Sequence, residues 1–365
     1  MTQNISLPFS LPAEDINHIF NSVGDNWKKL SNQRLLLTGG TGFIGKWILS
    51  SFLNANRKLN LSAQVVIVSR DPESFLRNFP VLRAYNEIYW VKKDIREITP
   101  EDCKECSFCI HGATDIVNPI NEADVFDTCV LGTARIIDAM KISRGRKRML
   151  ILSSGAVYKN IIHNELPFSE NSLELPLSQK TIKISKNYIE GKRLSEFQSI
   201  AYAKKHPEFE IVIARCFSFV GPYNPLRENF AIGNFIEMAI KNKDIVIRGA
   251  GNELRSYLYA SDLSYWLWTI LFNAQSCETY NVGGLQSISI SDLAIKVNKL
   301  IGGSGRIKIL GESVLNTLNQ SYLPLLNKIF KQLNVIETVS LEQAIIKTAF
   351  WVKNNLHVKN SSENV

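Results

Sequence analysis

The sequence predicts an α/β protein, a doubly wound parallel sheet of Rossmann type with a smaller C-terminal substrate-binding lobe. Three observations predict it. Apolar β-type runs recur at Leu35 to Leu37, Val65 to Val68, Phe108 to Ile110, Met149 to Leu152 and Ile211 to Ala214, with helical stretches between them. That alternation is the mark of right-handed strand–helix–strand crossovers. A glycine-rich turn, Gly39-Gly40-Thr41-Gly42-Phe43-Ile44-Gly45, joins the first strand to a helix. Beyond Pro222 the elements shorten, with a helix over Asn229 to Asn242 and a short strand over Ile245 to Ile247.

Ahead of the first strand, Ile16, Ile19, Phe20, Val23 and Trp27 recur at roughly helical spacing, so residues 1–30 read as a helical extension. Residues 31–222 form the nucleotide-binding domain, to which 253–284 return. Residues 223–252 and 285–358 make the second lobe, and the polar stretch 359–365 is a fraying tail. The helix after the glycine turn carries Ile44, Trp47, Ile48 and Phe52 on its inward face.

Composition narrows the classes. Apolar residues make up 45% and charged residues 21% of the 365, a globular balance, and the net charge of +8 favours anionic ligands. The densest basic run, Arg144, Arg146, Lys147 and Arg148, reads as a solvated helix end before a strand rather than a nucleic-acid arm. No apolar run approaches the ~20 residues of a membrane helix. Met1 to Pro12 lacks the charged-then-apolar order of a secretory signal, so a cytoplasmic protein without membrane partner is expected. Cys103, Cys106 and Cys109 have the spacing of part of an iron–sulfur run, but Ala113 stands where the fourth ligand would be. No metal is expected, and Cys109 reads as a buried strand residue.

Gly39, Gly42 and Gly45, with Thr41, Phe43 and Ile44 between them, follow a strand and open a helix. Glycines there permit the tight turn and the close approach of backbone N–H groups to a pyrophosphate at the helix's positive end. The next strand ends in Ser69-Arg70-Asp71, where an NAD site would place an acid against the ribose hydroxyls. An arginine suits a 2′-phosphate better, which favours NADP; Asp71 keeps NAD open if the turn is tight.

Six motifs in one order carry a resemblance. They are Thr38 to Gly45, Asp94-Ile95, His111-Gly112-Ala113-Thr114, Leu152 to Tyr158, Tyr188-Ile189-Glu190-Gly191-Lys192 and Arg215 to Pro222. The chain after residue 31 resembles the extended short-chain dehydrogenase/reductase superfamily, the NAD(P)-dependent nucleotide-sugar epimerases and dehydratases. The resemblance implies that Tyr188 is the general acid/base, with Lys192 one turn along favouring phenolate and Ser154 bonding the same sugar oxygen. It implies that Asp94 and Ile95 lie beside the adenine, Ala113 and Thr114 near the cofactor's phosphate and ribose, and Phe217 beside the nicotinamide. Asn234 and Arg255 match positions that hold the diphosphate of a nucleotide sugar. A homodimer through helices around Val125–Met140 and Tyr188–Tyr202 is implied too.

Departures bear on the reaction. Relatives that act as 4,6-dehydratases carry Asp-Glu after the active-site threonine, and nucleotide-glucuronate decarboxylases also use a glutamate in this turn; this chain has Gly155-Ala156. Neither residue can move a proton. A C4 epimerase or 4-keto reductase, of the kind that supplies surface-polysaccharide sugars, needs no acid there. The alternatives are a 4,6-dehydratase with a displaced carboxylate from Glu165, Glu170 or Glu190, and a non-catalytic dinucleotide sensor. Cys129 stands for a frequent asparagine and Gly191 for a common serine.

Overall fold

The computed structural model describes residues 8–114, 122–141, 145–158, 166–172, 186–226, 230–311 and 321–355. Its strands are β1 (Arg34–Thr38), β2 (Gln64–Ser69), β3 (Ile88–Lys92), β4 (Cys106–His111), β5 (Lys147–Ser154), β6 (Phe209–Cys216), β7 (Phe219–Val220), β8 (Ile245–Ile247), β9 (Leu254–Arg255), β10 (Leu258–Tyr259), β11 (Thr279–Val282), β12 (Ile288–Ser289) and β13 (Ile307–Ile309). The helices are α1 (Ala13–Val23), α2 (Phe43–Leu59), α3 (Pro72–Asn78), α4 (Glu122–Met140), α5 (Lys186–Lys205), α6 (Ala231–Ile240), α7 (Ala260–Asn273), α8 (Ile290–Ile301), α9 (Asn327–Leu333) and α10 (Leu341–Asn354).

Seven strands form one sheet in the order β11-β6-β5-β4-β1-β2-β3. Pairing is parallel from β5 through β4, β1 and β2 to β3. The order reverses between β1 and β4, the crevice where doubly wound sheets bind dinucleotides. The central strands are buried nearly end to end, β1 from Leu35 to Thr38 and β5 from Met149 to Ser154. Helices on both faces explain why these strands read as apolar runs without alternation.

The chain divides into two compact units, Met1–Lys159 with Leu173–Arg215 and Ser264–Tyr280, and Asn160–Ser172 with Cys216–Leu263 and Asn281–Val365. In the first, Leu36, Val66, Cys109, Ile136, Met149 and Ile213 share one core. The N-terminal segment belongs to this unit. Trp27, fully buried, meets Trp268 edge-on at 4.8 Å, and the Trp268 indole donates to Ser51 Oγ at 2.8 Å. Each indole N–H therefore has a partner, since that of Trp27 reaches Phe20 O at 3.1 Å. Burial of two tryptophans on this scale contributes several kcal/mol, at roughly 25 cal/mol per Å².

Cys103, Cys106 and Cys109 are buried free thiols of the first core, and burial pushes Cys106 up to about 12. Among the described residues no group of His, Cys, Asp or Glu is placed to hold a metal ion. The basic run is not a solvated helix end, a correction to the sequence reading. Lys147 is buried, and Arg146 and Arg148 both pair with Glu210 on β6, while Arg148 also donates to the carbonyls of Leu271 and Ala274 at the end of α7. Carbonyls orphaned at a helix C-terminus attract such a cation. Arg144 lies outside the described residues.

The second unit has its own core, with Phe235, Ile236, Leu293, Val297, Ala344 and Ile345 from α6, α8 and α10. Small ladders β8–β13, β9–β12 and β7–β10 flank it. Ser289 caps α8, and Ser340 with Gln343 forms a capping box on α10. No helix among the described residues is long and apolar enough to cross a membrane.

Candidate active site

The glycine turn is built by close approach. Gly39 has φ +73°, and a Cβ there would stand 2.8 Å from the backbone of Gly112 at the end of β4. A Cβ on Gly45 would be 2.3 Å from Gly39 O, so α2 can start against the turn only with glycine there. Gly42, the residue before α2, is exposed and leaves the helix's first N–H groups uncovered by any side chain of its own. These residues fit a dinucleotide pyrophosphate. Lys46, unremarked in the sequence, donates to Thr41 O at 2.6 Å, its amine 5.3 and 5.8 Å from the ring centres of Phe75 and Phe79. Enclosure of that amine lowers its pKa to about 8.

Beneath the turn lies a buried relay that motif reading passed over. The backbone N–H groups of Gly112 and Ala113 donate to Thr38 Oγ1 at 3.1 Å, and Thr38 lies 2.8 Å from His111 Nδ1. His111 Nε2 lies 3.0 Å from Thr133 Oγ1, which donates to Cys129 O at 2.6 Å. With the Thr133 proton committed to that carbonyl, Nε2 must carry the imidazole hydrogen and Nδ1 must accept. Burial, and then the Lys192 ammonium, push His111 down to about 3, so it stays neutral. The relay ties β1, β4 and α4 together under the cofactor turn.

At the end of β2, Ser69 is half-buried and Arg70 exposed. Asp71 accepts the Ser74 N–H at 3.0 Å as the N-cap of α3. Asp94 is clasped by Arg96 through two bonds of 2.8 Å and caps a short helical turn, with Ile95 buried beside it. Arg96, then burial in the opposite sense, leave the Asp94 carboxyl below the usual range. Ala113 and Thr114 follow β4, with Thr114 Oγ1 3.8 Å from Cys129 Sγ.

The catalytic candidates all lie in the first unit. Ser154 ends β5, is buried, and accepts the Ala156 N–H at 3.1 Å. Tyr188 and Lys192 lie one turn apart on α5. The Lys192 ammonium is 5.9 Å from the Tyr188 ring centre and donates to Leu152 O, two residues before Ser154, at 2.9 Å. An ammonium so placed favours the phenolate form of its neighbour. Around the turn Gly155–Tyr158, Glu196, Arg215, Arg193 and Ser153 make further bonds that the motifs did not foretell. Glu196 and Arg193 sit on α5 among many other charged residues, and Ser153 and Arg215 lie near strand ends, so no spacing singled them out.

In the second unit, Asn234 is half-buried on α6, and Gly233 beside it lets Pro225 O approach to 2.4 Å of where a Cβ would sit. Arg255 on β9 is half-buried, with its guanidinium 5.9 Å from the Tyr322 ring. Tyr322 in turn packs on Phe217 at 4.6 Å. Tyr322 lies in a stretch without a motif, which is why it was missed. Of the three carboxylates that could serve a dehydratase, Glu190 pairs with Arg193 and Glu170 accepts the Asn281 N–H. Glu165 lies outside the described residues.

A seven-stranded Rossmann-type sheet with a glycine turn at its switch point and a Ser–Tyr–Lys set at the neighbouring strand end defines a dinucleotide-dependent α/β enzyme. The model of the NAD dependent epimerase/dehydratase family matches residues 35–283. The chain belongs to that family, within the extended short-chain dehydrogenase/reductase superfamily, and is an NAD(P)-dependent enzyme of it. It is 27% identical over 335 residues to UDP-glucuronic acid decarboxylase 1 of Xenopus tropicalis, covering 89% of this chain and 73% of that one. It is 26% identical over 333 residues to a putative UDP-glucose 4-epimerase of Methanocaldococcus jannaschii, covering 88% and 99%. Its fold matches dTDP-glucose 4,6-dehydratase of Bacillus anthracis, solved with NAD, at TM-score 0.72 and 19% identity over 89% of this chain and 98% of that one.

Proposed function

We propose that this enzyme transfers hydride at C4 of a nucleotide-activated hexose, as a C4 epimerase or 4-keto reductase. The observation that carries this reading is Gly155-Ala156 in the turn after Ser154, with Tyr188 and Lys192 intact. The relatives' names span decarboxylase, epimerase and dehydratase. Protons at other ring carbons need a second acid or base. Neither Gly155 nor Ala156 offers one, and of the three candidate carboxylates Glu170 and Glu190 are engaged elsewhere, while Glu165 lies outside the described residues.

The nicotinamide, when bound, accepts and returns the hydride. In the oxidative direction Tyr188 as phenolate takes the C4 hydroxyl proton while the C4–H bond breaks, leaving a 4-ketone. Lys192 stabilises that phenolate, and Ser154 hydrogen-bonds the same oxygen. In the return step Tyr188 gives its proton back to the C4 oxygen. Epimerisation is redox-neutral, with hydride returned to the opposite face; reduction uses a ketone supplied to the site. Arg255, a planar donor on an aromatic support, suits the substrate diphosphate, and Asn234 suits its polar contacts.

NADP is the favoured cofactor, because Asp71 is committed to capping α3 and the exposed Arg70 carries the charge at the strand end. Tyr188→Phe should abolish turnover of UDP- and dTDP-hexoses while dinucleotide and UDP still bind. Full activity in that variant would sink the assignment.

A further inference from the structure

We propose that Glu196 and Arg215 are the positioning residues of this centre, a buried ion pair that holds the Ser154 turn at both ends. The turn needs such a hold. Its first two residues, Gly155 and Ala156, have no polar side chain to anchor it, although the hydroxyl just before them must keep its place against Tyr188.

The anchors lie on each side of Ser154. On one, Ser153 Oγ donates to Glu196 Oε1. On the other, Arg215 Nη1 donates to Tyr158 OH at 2.7 Å, with the guanidinium carbon 5.0 Å from the Tyr158 ring centre. Glu196 and Arg215 join the two halves, Nη2 to Oε2 at 2.7 Å and Nε to the two oxygens at 3.1 and 3.2 Å. Arg193 adds a bond from Nε to Val157 O at 2.8 Å. Ser153, Tyr158, Glu196 and Arg215 are all at least nine-tenths buried.

Helix geometry makes the hold specific. Tyr188, Lys192 and Glu196 recur every four residues, so one face of α5 carries the acid/base, its ammonium and the carboxylate that grips β5. Lys192 bonds Leu152 O and Glu196 bonds Ser153. The strand end is therefore in register with the same face that presents Tyr188. Burial opposes the charge of Arg215, but Glu196 and then Tyr158 more than offset it, and the guanidinium remains charged. A buried ion pair is a costly way to fill space, since apolar side chains of that volume stabilise as well or better. A fixed bidentate geometry is what it adds.

The proposal rests on Ser154 and Tyr188 being the reacting pair, and the test separates the two. Ser153→Ala and Tyr158→Phe each remove one hydroxyl and leave the ion pair in place. For whichever UDP- or dTDP-hexose the wild type converts, each should lower kcat about tenfold and the double variant further, because misplacement by about 1 Å can cost ~100-fold. KM, the Kd for NADP from protein fluorescence and the pH profile should stay within about twofold. Ser153→Thr, which keeps a hydroxyl, should recover part of kcat. Unchanged kcat in the double variant, with Tyr188→Phe inactive, overturns the positioning role. A parallel loss of kcat, substrate affinity and melting temperature overturns it as well, by making the role purely structural. Activity in Tyr188→Phe overturns the underlying reading instead.

Discussion

At the residue scale, neighbours in sequence take different tasks. Arg70 and Asp71 are adjacent, yet Asp71 is committed to the Ser74 N–H and Arg70 is left exposed at the strand end. A guanidinium there can grip a 2′-phosphate through charge-assisted bonds worth ~1.5–3 kcal/mol. Arg70→Ala should therefore weaken NADP by about 10- to 100-fold in fluorescence titrations and leave NAD unchanged. Equal affinities before and after, or equal losses for both cofactors, would remove Arg70 from cofactor selection. Sequence showed that the usual ribose acid was displaced. The cap itself was legible in Asp71-Pro72, an N-cap residue ahead of a proline at the first helical position, though the motif pattern directed attention to the ribose instead.

At the element scale, two departures from the family pattern turn out to be one contact. A Cβ on Gly191 of α5 would lie 2.9 Å from Cys129 Cβ and 3.4 Å from Phe126 Cα, both on α4. These helices approach too closely for the common serine. Gly191→Ser should cost about 1–3 kcal/mol by overpacking, read as a lower denaturation midpoint. Cys129→Gly in the same chain removes the nearest atom, so the double variant should lose less than the sum of the singles. Strict additivity would mean the helices do not press there. A second element-scale test concerns the segment leading into α10. Glu337 accepts the Leu285 N–H at 2.6 Å, and burial, then the nearby Asp262 charge, raise its carboxyl to about 7. The folded form thus binds this proton more tightly than the unfolded chain. Its stabilising contribution is complete below the unfolded carboxylate range and is lost as pH rises through about 7. Glu337→Gln should flatten the fall in melting temperature between about pH 5 and 8; an identical slope in the variant would refute the shift.

At the scale of the whole molecule, the paired helices α4 and α5 expose large apolar side chains, Leu131 at 51%, Leu194 at 43% and Phe197 at 65%. We propose that they form the homodimer face, since such side chains on paired helices favour burial against a partner. Phe197→Asp should shift the sedimentation mass toward a single chain, whereas an unchanged mass would place any interface elsewhere. The N-terminal segment contributes at this scale too. It read as an extension, but Trp27 against Trp268 makes it part of the first unit's packing.

What the sequence determined by itself was whatever local chemistry and spacing encode. Apolar runs set the sheet, Gly39 and Gly45 the tight cofactor turn, and the four-residue step from Tyr188 to Lys192 a shared helix face. Each of those signals is written within a few residues of chain. Only the tertiary structure decided the contacts between distant segments. Ser153 with Glu196, Arg215 with Tyr158, Thr38 with His111 and Thr133, and Arg255 over Tyr322 are examples. A buried glutamate and an exposed one look alike in sequence. What separates them is the partner that folding brings across to satisfy the charge.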